Sequence, residues 1–244
     1  MSTIIDLTTN HSFVENNGVT IEDNAGKFSG SKALYFDGNS YMHFPASAAS
    51  ISNFPACIEA WVKPEHASTT EAATAAFGII TKGRYKTGYN TFGLYWLFRE
   101  YWRTSLAYTA ADNTNAFTFQ AKSATNQAGA GFTSTQFLSS TYTPQWYHIA
   151  LTITEGNGKY YYKLYLNGSL AGSDDQNAYI SGGHTNLTSS DSYLTIGAYQ
   201  SYTNGTYASS NKFKGYMSDI RLTYGEIIYT ENFDPPTQPH PKNY

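Results

Sequence analysis

Between Trp146 and Ser173 the chain reads WYHIALTITEGNGKYYYKLYLNGSLAGS. Ile149, Leu151 and Ile153 alternate with His148, Ala150 and Thr152, and a period of two marks a strand with one buried face. Glu155-Gly156-Asn157-Gly158 follows, and Asn-Gly between two β-rich runs is a strong hairpin signal. The alternation then resumes, with Tyr160, Tyr162, Leu164 and Leu166 on one side and Tyr161, Lys163 and Tyr165 on the other. Asn167-Gly168 makes a second tight turn, because both residues tolerate positive φ. Three short antiparallel strands are thus predicted, with one apolar face that a second sheet must cover.

The same period recurs elsewhere. A first strand is predicted at Ile4, Ile5 and Leu7, and a short one through Val19 and Ile21. SKALYFDGNSYMHFP reads as a second hairpin around Asp37-Gly38-Asn39. In ACIEAWVKP (56–64), Ile58, Ala60 and Val62 face opposite to Cys57, Glu59 and Trp61, and Pro64 ends the run because it cannot donate to a ladder. Strands are also expected at 77–80, 91–98, 103–109, 193–199 and 212–225. Residues 110–141 read as the least structured part, with a brief strand at Phe117-Thr118-Phe119, and 201–211 reads as a loop. No amphipathic helical pattern of useful length exists. The end, NFDPPTQPHPKNY, holds four of the eight prolines and reads as an extended strap. The expected organisation is one sandwich domain over 1–233 and a proline-rich strap over 234–244.

Composition narrows the function. Charged residues are 14% of the 244, against roughly 25% in ordinary soluble domains, while 22 tyrosines carry the aromatic content to 16%. Solubility then rests on hydroxyls and amides, a surface suited to sugars or protein neighbours. The net charge is −3 and no Lys/Arg cluster exists, which argues against nucleic acid. No stretch approaches the ~20 apolar residues of a membrane helix. The opening MSTIIDLTTNHSF has neither the basic start nor the apolar core of a signal peptide, so synthesis in a cytosol is expected.

Four blocks in order carry a resemblance: ALYFDGNSYMHFP, CIEAWVKP, WYHIALTI…YKLYLNGSLAGS and YLTIGAY…FKGYMSDIRLTYGEIIYTENFDPPTQP. Together they resemble laminin-G-like, concanavalin A-like jelly-roll domains. The last block is most similar to versions in tailed-phage structural proteins. The resemblance implies an all-β, two-sheet antiparallel jelly-roll β-sandwich, with about six to seven strands per sheet. For function it is unspecific, because this fold hosts lectins, adhesion modules, glycan hydrolases and structural parts.

Catalytic chemistry finds little support. Glycoside hydrolysis ordinarily needs two carboxylates about 5–10 Å apart, yet Glu59 sits alone in its strand and Asp174-Asp175 lie in a polar loop. Asp219 and Arg221 read as a same-face ion pair. The six histidines show no metal spacing and no Ser/His/Asp grouping. Cys57 reads as a small buried hydrophobe. No cofactor is expected. Calcium, which laminin-G-like sandwiches often hold at the rim, would draw on Asp37 and Asn39, but a plain Asx-turn is the favoured reading.

Segments mixing Tyr or Trp with Ser, Thr, Asn and Gly remain: 84–89, 99–103, 174–190 and 199–207. Such loops make adaptable contact surfaces, and aromatic faces stack on sugar C–H faces. Tyr85, Tyr89, Tyr101, Trp102, Tyr202 and Tyr207 are the candidate glycan- or partner-binding residues. The expected role is a non-enzymatic phage virion surface protein, a capsid decoration or a tail or fibre component. Its partners would be other virion proteins, with glycans, a host surface and further copies of itself as candidates, and without nucleic acid or membrane. The alternatives are a carbohydrate-binding module of a cell and, more distantly, a polysaccharide-cleaving enzyme. The tail and the 110–141 segment are candidate straps to a neighbouring subunit, or the tail docks on its own sandwich.

Overall fold

The computed structural model describes residues 3–6, 15–44, 55–65, 75–83, 91–98, 114–122, 129–133, 137–138, 143–156, 159–173, 194–203, 206–210 and 212–240. Among these every regular element is a strand. Sheet I is built from β1 (Thr3–Asp6), β3 (Thr20–Glu22), β4 (Ala33–Asp37), β6 (Ala56–Pro64), β12 (Tyr147–Gly156), β13 (Lys159–Leu166), β14 (Ser169–Ser173) and β18 (Lys214–Tyr224). Sheet II is built from β2 (Glu15–Asn17), β5 (Tyr41–Phe44), β7 (Ala75–Gly83), β8 (Thr91–Phe98), β9 (Thr114–Lys122), β10 (Gly129–Thr133), β11 (Phe137–Leu138) and β15 (Leu194–Ile196). Among the described residues each sheet has eight strands rather than the six to seven expected, and a separate ribbon pairs β16 (Tyr199–Thr203) with β17 (Thr206–Ser210). The orders are β14-β13-β12-β6-β18-β4-β3, with β1 also on β18, and β10-β9-β8-β7-β15-β5-β2, with β11 also on β9. Every strand pairing is antiparallel, as the two-sheet sandwich predicted.

The core lies where the alternation placed it. Ile58, Ala60, Val62, Ile149, Leu151 and Leu222 of sheet I meet Met42, Phe44, Ile80, Phe117 and Ile196 of sheet II in one buried cluster. Asn167 (φ 49°) and Gly168 (φ 78°) form the tight β13–β14 turn on left-handed backbone, as anticipated.

Three expectations change. The segment around Asp37-Gly38-Asn39 is no hairpin: β4 pairs with β3 and β18 in sheet I, whereas β5 pairs with β2 and β15 in sheet II. The turn is therefore a corner between layers. Asp37 Oδ1 accepts from the amides of Asn39 at 2.7 Å and Ser40 at 2.8 Å, so the carboxylate is engaged by its own turn. Residues 110–141, read as mostly loop, contain β9, β10 and β11. Their Ala, Thr and Gly content hid a strand signal that tertiary pairing supplies. Residues 201–211, also read as loop, contain most of the β16–β17 ribbon. The strand expected at 103–109 lies outside the described residues.

A second layer covers part of sheet I on the side away from the core. Residues 226–240 run extended from the end of β18, reach the β13–β14 turn and return toward β18. The return is possible because β18 carries an irregularity between Ser218 and Arg221. There Asp219 adopts φ 53°, and such a bulge re-aims a side chain. The segment 23–32 sits on the same face. Phe28 packs edge-on to Trp61 with ring centroids 5.9 Å apart, and Ser218 Oγ donates to Lys32 O at 3.1 Å.

Candidate functional site

Of the six candidate recognition residues, Tyr85, Tyr89, Tyr101 and Trp102 lie outside the described residues. Tyr202 and Tyr207 are direct Cα partners in the β16–β17 ribbon. Strand β7 holds the base of that ribbon. Gly197 N donates to Ile79 O at 2.9 Å, Phe213 N donates to Gly197 O at 2.8 Å, and Thr81 Oγ1 donates to Ala198 O at 2.9 Å. Gly197 needs its φ of 83° and its missing Cβ, since a Cβ there would fall on the Phe36 ring.

The ribbon leaves sheet II beside a polar rung. Leu194 and Ile196 face the core, so Thr195 faces away, and the same holds for His43 between Met42 and Phe44. The register carries this rung from Glu15 through His43, Thr195, Thr81 and Gly93 to Gln120. His43 Nδ1 lies 2.9 Å from Thr195 Oγ1. His43, Thr195 and Thr81 are themselves buried.

The second constellation is ionic and lies on the outer side of sheet I. Glu59 projects from the middle of β6 and is 1% exposed. Its Oε1 accepts from Arg221 Nε at 2.7 Å and also from the second guanidinium nitrogen. Its Oε2 accepts from the Tyr229 hydroxyl at 2.8 Å. His148 Nε2, fully buried, lies 3.2 Å from Oε2. His240 Nε2 lies 3.8 Å from the same oxygen, and His240 Nδ1 lies 2.6 Å from Asp219 Oδ2. The expected Asp219–Arg221 pair is therefore not formed. The bulge separates the two, so Arg221 turns to Glu59 and Asp219 turns to His240.

Burial alone would raise the Glu59 carboxyl, but His148, the Arg221 guanidinium and His240 outweigh it and hold the group down to about 2. Burial, then the Glu59 charge, pushes the Tyr229 phenol well up, so it stays a donor. Burial likewise pushes the Cys57 thiol far up, as its reading as a buried hydrophobe requires.

Residues 226–240 close this centre. Tyr229 and Phe233 stack with centroids 3.5 Å apart and planes 7° apart. Both lie against Cys57, Ala150 and Tyr165. Phe233 N donates to Gly168 O at 2.9 Å, Leu170 N donates to Asn232 Oδ1 at 2.8 Å, and Lys163 Nζ donates to Thr230 O at 3.0 Å. Glu59 is thus an acceptor already committed on both oxygens and roofed by its own chain, a poor position for acid–base work on a polymer. Sequence spacing could not find this centre, because its members come from positions 59, 148, 219, 221, 229 and 240. The one available signal was a lone Glu in an otherwise apolar strand.

Comparison with known proteins adds the following. A family profile described as the concanavalin A-like lectin/glucanases superfamily matches residues 36–227. No curated protein matches the chain. Among solved structures, the CBM40 of a Ruminococcus gnavus IT-sialidase bound to α2,3-sialyllactose is 14% identical with a TM-score of 0.49, covering 81% of this chain and 91% of that one. A SAP-like pentraxin from Limulus polyphemus is 16% identical with a TM-score of 0.40, covering 84% and 74%. Tailspike protein 2 of an Escherichia coli O157:H7 bacteriophage is 10% identical with a TM-score of 0.49. That match covers 90% of this chain but only 27% of the tailspike.

Proposed function

The chain belongs to the concanavalin A-like lectin/glucanases superfamily, and from that membership we propose that it is a non-catalytic, glycan-contacting sandwich borne on the surface of a phage particle. The observation that carries the glycan reading is the β16–β17 ribbon, which sets Tyr202 opposite Tyr207 and is rooted on β7 through Gly197 and Thr81. The ribbon's tyrosines add broad contact at low entropic cost. Glu59 supports the absence of turnover, because its carboxylate is engaged on both oxygens beneath residues 226–240. The particle location is supported by the likeness of the GYMSDIR…YTENFDPP ending to tailed-phage structural proteins.

Glycan-array binding by the purified protein tests the first element. Binding is expected, and silence across neutral and charged glycans removes it. Mass spectrometry of purified virions tests the second, and finding the chain only in uninfected cells removes that. Release of reducing ends from any polysaccharide by the pure protein overturns the non-catalytic reading.

A further inference from the structure

The outer face of sheet I is covered by residues 226–240 and by the segment 23–32, but not everywhere. At the β4 end, one rung of the register reads Thr20, Tyr35, Tyr216 and Lys63. Trp146 stands beside Lys63, since the next residue, Tyr147, pairs with Val62. Tyr35, Tyr216 and Trp146 are all half-buried, unlike Trp61 and Tyr165 further along the same face. The Tyr35 and Tyr216 rings lie 4.8 Å apart and tilted by 42°, and the Trp146 ring lies 6.4 Å from Tyr216 at 58°. Lys63 Nζ stands 5.2 Å from the centre of the Tyr216 ring. From β4 to β12 there are three strand spacings, about 14 Å.

Three neighbouring rings at successive tilts make a faceted ledge. Partial burial first, and then nearby carboxylates, raise both phenols: Glu65 leads for Tyr35 and Glu22 for Tyr216. Glu22, Asp37 and Glu65 each stand two residues along from Thr20, Tyr35 and Lys63 of this rung, so the three carboxylates border the rings. Charge and area choose among occupants. Anionic glycans and anionic lipid meet three carboxylates, which the two ammoniums of the same face, Lys63 and Lys214, do not fully offset. A stable protein partner wants about 800 Å² per side, far more than three half-covered rings. A neutral sugar chain fits both the apolar facets, through its C–H faces, and the carboxylate rim, through its hydroxyl donors.

We propose that Tyr35, Tyr216 and Trp146, with Lys63 and the Glu22/Glu65 rim, form a binding ledge for neutral oligosaccharides, separate from the ribbon on sheet II. This rests on the glycan-contacting reading above and gives it a second site and a ligand class.

The test uses the full chain with a neutral and a sialylated oligosaccharide panel, followed by calorimetry on the strongest ligands. Tyr216→Ala and Trp146→Ala should each weaken neutral-glycan binding roughly tenfold, the scale of one lost aromatic anchor. Tyr216→Phe should retain it, and the Tyr202→Ala/Tyr207→Ala variant should leave the ledge ligand bound. In the wild-type chain, the Trp146 indole N–H resonance should shift on titration, a readout independent of how variants fold. Loss confined to the ribbon variant overturns the ledge while leaving the glycan reading intact. Binding of sialylated glycans alone overturns the neutral class. No binding of any glycan overturns both readings, and an unmoved Trp146 signal at saturation overturns the ledge.

Discussion

The outer side of sheet I has two halves with opposite fates. Along β6, β12 and β13 it carries Cys57, Glu59, His148, Ala150 and Tyr165, all buried beneath the chain's own residues 226–240. Along β4 and the first part of β18 it carries Tyr35 and Tyr216, which remain half-exposed. Both halves follow the same alternation, and both put polar and aromatic residues away from the core. What differs is the roof. A charge is tolerable in the first half because Arg221, Tyr229 and two histidines meet it there. Exposed rings are tolerable in the second half because its charged neighbours, among them Lys63, Glu22 and Glu65, are not buried and need no roof. Trp61 marks the border, with His148 5.1 Å away on one side and Phe28 5.9 Å away on the other.

The largest effect should come from breaking the roofed half at its centre. Glu59→Ala leaves Arg221 partly buried without its carboxylate and should cost about 3–5 kcal/mol in denaturant unfolding; a loss below about 1 kcal/mol would mean the network is not coupled. The same group sets an acid limb. Its folded-state value lies near 2, below its ordinary 4.5. It therefore stabilises the fold above about pH 4.5, and that contribution is lost as pH falls toward about 2. Glu59→Gln should flatten this limb in melting experiments between pH 5 and 2, within the window those two values define.

Smaller effects should follow from loosening the roof. Truncation after Phe233 removes His240 from Asp219 and Glu59 and should cost about 1.5–3 kcal/mol, the scale of charge-assisted bonds. Gly168→Ala forces a Cβ onto the Phe233 carbonyl oxygen at a φ of 78° and should cost about 1–3 kcal/mol. An unchanged melting temperature would show that the segment does not bear on the turn. The bare half should respond least. Tyr216→Ala should cost about 1 kcal/mol or less, within the span of strand propensities. A larger loss would show that the ledge is packing and would bring the two halves together.

Much of this fold was legible in the chain because strict alternation and two Asn/Gly turns specify β6, β12, β13 and β14 without tertiary knowledge. The Asp37-Gly38-Asn39 corner was not, since the same turn chemistry serves a hairpin and a step between layers; only pairing partners distinguish them. The β16–β17 ribbon was not legible either, because its strands are largely Tyr, Ser and Thr rather than alternating apolar residues. The Asp219–Arg221 reading failed because i, i+2 residues share a face only in a regular strand, and the irregularity sits between them. Of the recognition residues, the register relates Tyr202 to Tyr207, while Tyr35, Trp146 and Tyr216 escaped notice because each stands inside or next to a core-like run.

Residues 226–240 are translated after every strand of both sheets. The strands can therefore pair in full without them, and Glu59 and His148 are then open to water. A chain ending before Tyr229 would keep both layers and leave the Glu59 carboxylate hydrated in the middle of sheet I. Such a fault leaves the hydrophobic layer between the sheets untouched.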